Sequence, residues 1–165
     1  MTQVLSPTPA SASAQAPSEV LTATAMPAAV GAAAVPHALP SLNGEVLILG
    51  LGISGLSMAR WCAQLGASVT VLDTRQQPPE LAALQQLAST GADIRFECGS
   101  FSAERIHGSR VRAVFKSPGL APAQVAPLVD AAKASGLWVG GELSLFNHAL
   151  RGLQASAGYA PKVLA

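Results

Sequence analysis

Charged residues are scarce in this 165-residue sequence, since Asp, Glu, Lys and Arg make up 12% of it, about half of the usual ~25%. The formal net charge is +1, which excludes the strongly basic surface typical of nucleic-acid-binding proteins. Two cysteines, Cys62 and Cys98, are too few and too far apart for a disulfide scaffold or a zinc cluster. We therefore expect two free thiols in a reducing, cytoplasmic compartment.

Several motifs that carry chemistry are also absent. No Gly-x-x-x-x-Gly-Lys-Ser/Thr occurs in the sequence, so it contains no P-loop for the triphosphate of ATP. The three histidines, His37, His107 and His148, do not have the spacing of metal ligands. No nucleophile, base and orienting group can be assembled into a catalytic triad. The sequence predicts no catalytic residue and no metal site.

The first 43 residues differ in composition from the rest of the chain. They hold one charged residue, Glu19, and six of the twelve prolines. The uncharged stretch 20–44 is long enough to span a bilayer, but three prolines interrupt it. A signal peptide fits poorly because no Lys or Arg precedes the apolar part. We expect residues 1–43 to form a disordered Ala/Pro-rich extension with no membrane span, and an amphipathic or targeting role stays open.

From Glu45 onwards, short apolar runs alternate with amphipathic segments. This alternation predicts an α/β fold that is Rossmann-like and doubly wound, with a mostly parallel five-stranded sheet and helices on both faces. The predicted strands are 46–49, 68–72, 93–97, 111–116 and 137–139. The predicted helical segments are 56–65, 78–90, 102–106, 122–135 and 141–150.

The clearest local motif is a glycine-rich turn between the first strand and the first helix. In the pattern Gly-x-Gly-x-x-Gly, Gly50 permits the tight turn and Gly52 lets the backbone approach a phosphate. The third glycine, Gly55, lets helix and strand pack closely. The amides of Ile53, Ser54 and Gly55 would then point at an anion at the positive end of the helix. A nucleotide diphosphate is the favoured ligand, and a turn that only packs is the alternative.

Two further loops are expected at the same edge of the sheet. Asp73 follows the second strand, where a dinucleotide-binding fold places its ribose-binding acid. Read alone, Asp73 indicates NAD, whereas Arg75 is compatible with NADP or with a guanidinium lying on a nucleobase. Because ligands bind outside the carboxyl ends of parallel strands, we expect loops 50–55, 73–75 and 117–119 to converge on one crevice.

The residues around these loops resemble the Mur ligase family. The resemblance rests on Val46–Arg60 and Gly66–Arg75, and two later segments, Lys116–Leu120 and Gly141–Phe146, agree with it in order. It covers about residues 45–150. Within the family, the pattern is most similar to the N-terminal domain of members that add D-glutamate to UDP-N-acetylmuramoyl-L-alanine.

The resemblance implies a UDP-sugar site rather than a dinucleotide site. It implies that the backbone around Ile53 and Ser54 holds the diphosphate, and that Ser117 and Gly119 close the pocket from the fourth strand. The residues that it places around the uracil, with a guanidinium against the ring plane, are Asp73, Thr74 and Arg75. An NAD(P)-binding module of a dehydrogenase or regulatory protein remains the alternative, and a domain that only binds proteins is a third option.

The resemblance also implies a reaction. In the family, ATP phosphorylates the substrate carboxylate, the amine of D-glutamate attacks the acyl phosphate, and phosphate leaves a tetrahedral intermediate. We expect ATP and Mg²⁺ to be bound by further domains of a longer enzyme and no cofactor in this chain. The expected layout is the extension 1–43, a UDP-substrate-binding domain 44–150 and a linker 151–165 towards an ATPase domain. By itself the chain is expected to be a monomer that binds UDP-N-acetylmuramoyl-L-alanine without catalysis.

Overall fold

A computed structural model describes residues 44–159 and 161–162. The predicted extension 1–43 and the strand expected at 163–165 lie outside the described residues. Within the described part, none of the helices has the length and apolar character needed to cross a bilayer.

The centre of the structure is a five-stranded sheet in which every pairing is parallel. The strands are β1 Glu45–Leu49, β2 Ser68–Asp73, β3 Ile94–Cys98, β4 Val111–Lys116 and β5 Trp138–Gly140. Their order in the sheet is β3-β2-β1-β4-β5, so the chain winds outwards from β1 first in one direction and then in the other. The predicted α/β, Rossmann-like fold is confirmed, and the sheet is entirely parallel.

Helices cover both faces of the sheet, and each face has its own apolar core. Strand β1 contributes to both cores, because its alternate side chains point to opposite faces: Val46 and Ile48 join one cluster, while Leu47 and Leu49 join the other. The helical elements are α1 Ile53–Gln64, α2 Leu81–Ser89, a 3₁₀ turn Ala103–Arg105, α3 Pro122–Ala134 and α4 Glu142–Ala157. The first cluster is covered by α1, α2 and α4, and the second by α3 with the 3₁₀ turn.

Several predicted boundaries were wrong. Helix α1 begins at Ile53 and not at residue 56, because the last glycine of the turn already lies inside the helix. Strands β3 and β5 each lie one residue further along the chain than predicted. The last helix does not end at residue 150 but continues to Ala157, two turns into the expected linker. It stops where Gly158 adopts the left-handed conformation, with φ +64°, and donates its N–H to the carbonyl of Gln154.

Candidate functional site

The turn between β1 and α1 has a backbone that only glycine adopts readily. Gly50 has φ +85°, and its N–H donates a 2.8 Å hydrogen bond to the carbonyl of Leu72 at the end of β2. A Cβ atom on Gly50 would lie 3.0 Å from the side chain of Leu120 and 3.3 Å from that of Ser117. The predicted tight turn is confirmed, and the structure adds a steric reason for it.

Close packing explains the third glycine of the motif. A Cβ on Gly55 would lie 2.0 Å from the carbonyl oxygen of Gly50, so the first turn of α1 packs directly against the residue that follows β1. At Gly52, by contrast, an added Cβ would meet no described atom within 4 Å. The backbone at Gly52 is therefore open on the side where a ligand would approach.

Helix α1 presents its positive end to this open space. Gly52 is the N-cap residue and supplies no side-chain cap. The first hydrogen bond of the helix runs from Leu56 N–H to the carbonyl of Gly52, at 2.9 Å. The amides of Ile53, Ser54 and Gly55 precede that bond and belong to the first turn, where N–H groups point out of the helix end. Together with the helix dipole, they form a site suited to an anion such as phosphate.

Asp73 is buried at the end of β2, with its side chain 2% exposed. Its Oδ2 accepts hydrogen bonds from Leu51 N–H at 2.7 Å and from Arg75 Nη2 at 2.8 Å. Its Oδ1 accepts from the backbone N–H and from Nε of Arg75, both at 2.9 Å. The hydrogen bond from the Arg75 side chain, with help from the two amides, lowers the pKa of Asp73 to about 2 despite burial. Asp73 is therefore an anion at neutral pH.

Arg75 lies between this buried anion and the solvent. Its side chain is 53% exposed, although two of its nitrogens are engaged by Asp73. Nη2 also lies 3.5 Å from the carbonyl oxygen of Leu51. This two-point attachment fixes the plane of the guanidinium while leaving part of its surface open for stacking on an aromatic ring.

The third loop is attached to the glycine turn through Ser117. Its hydroxyl donates a 2.9 Å hydrogen bond to the carbonyl of Gly50, and its N–H donates to the carbonyl of Leu49, also at 2.9 Å. Ser117 is 8% exposed, whereas Gly119, two residues later, is exposed. Ser117 therefore holds two loops together at the base of the site.

The three predicted loops do converge on one cavity of about 460 Å³ at the carboxyl edge of the sheet, within the usual range of ~300–1,000 Å³ for ligand pockets. Nine of the ten predicted site residues line it: Gly50, Gly52, Ile53, Ser54, Asp73, Thr74, Arg75, Ser117 and Gly119. Gly55 does not line it, because it is buried against the turn.

Three other residues line the cavity: Pro118 belongs to the predicted loop 117–119 but was not named as a site residue, and Leu120 and Gln124 were missed. Gln124 lies in the first turn of α3, which begins with Pro122 shortly after the third loop. The sequence could have indicated Gln124 by its position in the first turn of a helix that begins shortly after a predicted ligand loop.

Two other cavities flank α1 and lack these features. One, of about 540 Å³, lies between α1 and the start of α2, and the other, of about 150 Å³, lies between α1 and α4. Helical side chains form most of their walls, and neither is lined by residues 73–75 or 117–119. Over residues 44–159 and 161–162, no group of three or more His, Cys, Asp or Glu side chains could hold a metal ion.

Comparison with known proteins agrees with this geometry. The family model described as "Mur ligase MurD-like, N-terminal domain" matches residues 44–141. A UDP-N-acetylmuramoylalanine–D-glutamate ligase of Albidiferax ferrireducens is 56% identical over 121 residues, 73% of this chain and 23% of that protein. A ligase of the same name from Polaromonas sp. is 58% identical over 66% of this chain and 18% of that protein. Another, from Burkholderia mallei, is 50% identical over 73% of this chain and 23% of that protein.

The match covers more than half of this chain, although the chain spans only about a fifth of the length of these relatives. It includes all three loops of the 460 Å³ cavity, and it does not favour the alternative of an NAD(P)-binding module. The chain belongs to the Mur ligase family, as a MurD-like N-terminal domain.

Proposed function

We propose that this chain binds the uridine diphosphate end of UDP-N-acetylmuramoyl-L-alanine and is the substrate-binding part of a ligase that adds D-glutamate to it. The observation that carries the proposal is the single cavity formed by the loops after β1, β2 and β4, with the N-terminus of α1 at its wall. The substrate is taken from the relatives, which are named UDP-N-acetylmuramoylalanine–D-glutamate ligases.

The proposed binding mode follows from the charges in the cavity. The diphosphate would lie at the first turn of α1, where three amides and the helix dipole complement its negative charge. The uracil would lie against the guanidinium of Arg75, which is held in one plane by Asp73. Residues 117–119 would close the opposite wall, because Ser117 fixes their position relative to the glycine turn.

The amide-forming chemistry is proposed for other parts of a longer ligase. The sequence contains no P-loop, so we assign ATP and Mg²⁺ to those parts and expect this chain alone to be inactive. We also propose that the chain acts in the cytoplasm, consistent with its two free cysteines, and that it is a monomer.

Titration calorimetry on the 165-residue chain tests the proposal. UDP and UDP-N-acetylmuramoyl-L-alanine are expected to bind saturably and NADH is not. Arg75→Ala should weaken UDP binding about tenfold or more, since it removes the aromatic-stacking surface and a positive charge. Arg95→Ala is the matched control, because Arg95 is an exposed arginine of β3 that also pairs with an aspartate two residues earlier. Saturable NADH binding, or no UDP binding by a chain that melts cooperatively, would overturn the proposal.

A further inference from the structure

Helix α4 is long, yet it buries few residues against the domain. Of its 16 residues, Leu145 and Gly152 are buried. Helix α3, with 13 residues, buries four, and α1, with 12 residues, buries five. Helices in folded proteins are stabilised mainly by the packing of an apolar face, so α4 is longer than its packing within this domain explains.

The other large apolar side chains of α4 form a second stripe, at steps of three, four and three residues. The stripe consists of Leu143, Phe146, Leu150 and Leu153. This spacing places them on one side of the helix, roughly 130° around the helix axis from the two buried residues. Leu143 is 81% exposed and Phe146 is 53% exposed, so the upper half of the stripe is open to solvent.

The stripe adjoins an apolar cavity. Phe146 also lines the cavity of about 150 Å³ between α1 and α4, together with Met58 and Trp61. Apart from Ser57 and Glu142, the residues that line this cavity are apolar or aromatic. An apolar cavity of about 150 Å³ can hold a benzene-sized group. The surface therefore suits an apolar partner that inserts one large side chain beside Phe146.

The path of the chain indicates which partner covers the stripe. Helix α4 begins two residues after β5 ends, and therefore at the carboxyl edge of the sheet, where the 460 Å³ cavity lies. It then runs about 24 Å away from that edge to Gly158. The chain spans about a fifth of the length of its relatives, and the matching model describes an N-terminal domain. The shortest path by which a following part could return to the substrate cavity runs back along α4.

We propose that the stripe on α4 is the docking surface for the ATP-binding part of the longer ligase, which packs along the helix and inserts an apolar side chain beside Phe146. The inference rests on the proposed function, because that function assigns ATP to a part of the ligase outside this chain. It adds the surface on which that part meets the substrate-binding domain.

Thiol labelling of a Leu143→Cys variant measures coverage of the stripe. The variant is made in the 165-residue chain and in the longer ligase, and peptide mapping by mass spectrometry reads position 143 alone. In the 165-residue chain, position 143 should label at nearly the rate of the denatured protein. In the longer ligase the rate should be about tenfold lower or less, since a covered thiol reacts only when the interface opens.

Ala155→Cys is the matched control, because Ala155 is exposed on another side of the same helix. It should label at the same rate in both proteins. Equal labelling of Leu143→Cys in both proteins would overturn the inference. Protection already present in the 165-residue chain would overturn it too, because the extension 1–43 or a second copy would then cover the stripe.

Enzyme kinetics provide a second readout. Leu143→Glu places a charge on the docking surface, and burying a charge without a partner is costly. In the longer ligase it should lower kcat/KM for amide formation about tenfold or more, whereas Ala155→Glu should stay within about twofold of wild type. Neither position lines the 460 Å³ cavity, so UDP affinity of the 165-residue chain should not change. An unchanged kcat/KM in Leu143→Glu would contradict the inference.

These outcomes separate the inference from the proposed function. If the wild-type chain fails to bind UDP, the proposed binding site is wrong, while the labelling experiment needs no ligand and still reports on docking. If the chain binds UDP but position 143 labels equally in both proteins, only the inference is wrong.

Discussion

Replacing Gly55 by alanine tests the close contact between α1 and the glycine turn. The added Cβ would lie 2.0 Å from the carbonyl oxygen of Gly50 and 3.2 Å from Oγ of Ser117. Real Cβ atoms essentially never come within 3.0 Å of another atom, so the helix or the turn must move by about 1 Å. That movement would also disturb the 2.9 Å hydrogen bond from Ser117 to Gly50.

The expected loss of stability follows from three contributions. Forcing an extra carbon into a well-packed site costs about 1–3 kcal/mol. Leaving the buried carbonyl of Gly50 without its donor costs about 1–3 kcal/mol more. The better helix propensity of alanine offsets about 1 kcal/mol. We therefore expect Gly55→Ala to lower the free energy of unfolding by about 3 kcal/mol, equivalent to a fall in Tm of about 12 °C at ~4 °C per kcal/mol for a domain of this size.

Thermal and urea denaturation, followed by circular dichroism, measure this loss. Gly52→Ala is the matched control in the same turn, because its Cβ would meet no described atom within 4 Å and its φ of −113° suits alanine. It should cost about 1 kcal/mol at most, since alanine is only a poorer N-cap than glycine. A Gly55→Ala variant that melts within about 2 °C of wild type would refute the steric reasoning.

Three further predictions concern Ser117, Asp73 and the two cysteines. Ser117→Ala should lower the urea-unfolding free energy by about 1–3 kcal/mol, because the carbonyl of Gly50 loses its donor. Since the pKa of Asp73 falls from its ordinary value of 3.8 to about 2 on folding, its stabilisation is complete above pH 4. The free energy of unfolding should fall by about 2 kcal/mol as the pH falls from 4 towards 2, and Asp73→Asn should not show this fall. Urea titrations of both proteins at each pH measure it. Burial raises the pKa of Cys62 to about 12, so a thiol reagent should modify only the exposed Cys98 in the folded chain and both thiols in denaturant.

The position of a strand could be predicted where residues typical of turns directly follow it in the sequence. The predicted bounds of β4 agree with the structure, because Ser117 and Pro118 end the apolar run. Strand β3 lies one residue further along than predicted, because its position is set by pairing with β2, from Val69 with Ile94 to Asp73 with Cys98. Such long-range pairing leaves no local signal in a short, weakly apolar strand.

The start of α1 was missed for a different reason. The motif glycines favoured a loop, and the helix has no capping side chain that would have marked residue 52 as its N-cap. Further along the chain, α4 continues past residue 150 through Gly152, which is buried. Glycine is a poor helix former in solution, but Gly152 does not end the helix, which stops at the left-handed Gly158.

The location of the site was predictable, whereas the orientation of its acid was not. Glycine spacing and strand ends placed the three loops at one edge, because parallel strands bring their carboxyl ends together. The inward turn of Asp73 depends on the Leu51 amide, 22 residues earlier. The two meet only after β1 and β2 have paired, with Leu49 opposite Leu72. No sequence spacing reports such a contact.

Mapping the bound nucleotide onto backbone amides shows whether UDP lies in the cavity formed by the three loops. In ¹H–¹⁵N correlation spectra of the labelled chain, UDP should shift the amides of Ile53, Ser54, Thr74 and Gly119, which line the cavity. The amide of Phe146, in the separate cavity between α1 and α4, should stay unchanged. Shifts confined to the α1–α4 cavity, or an unchanged spectrum at saturating UDP, would show that the cavity formed by the three loops does not bind UDP.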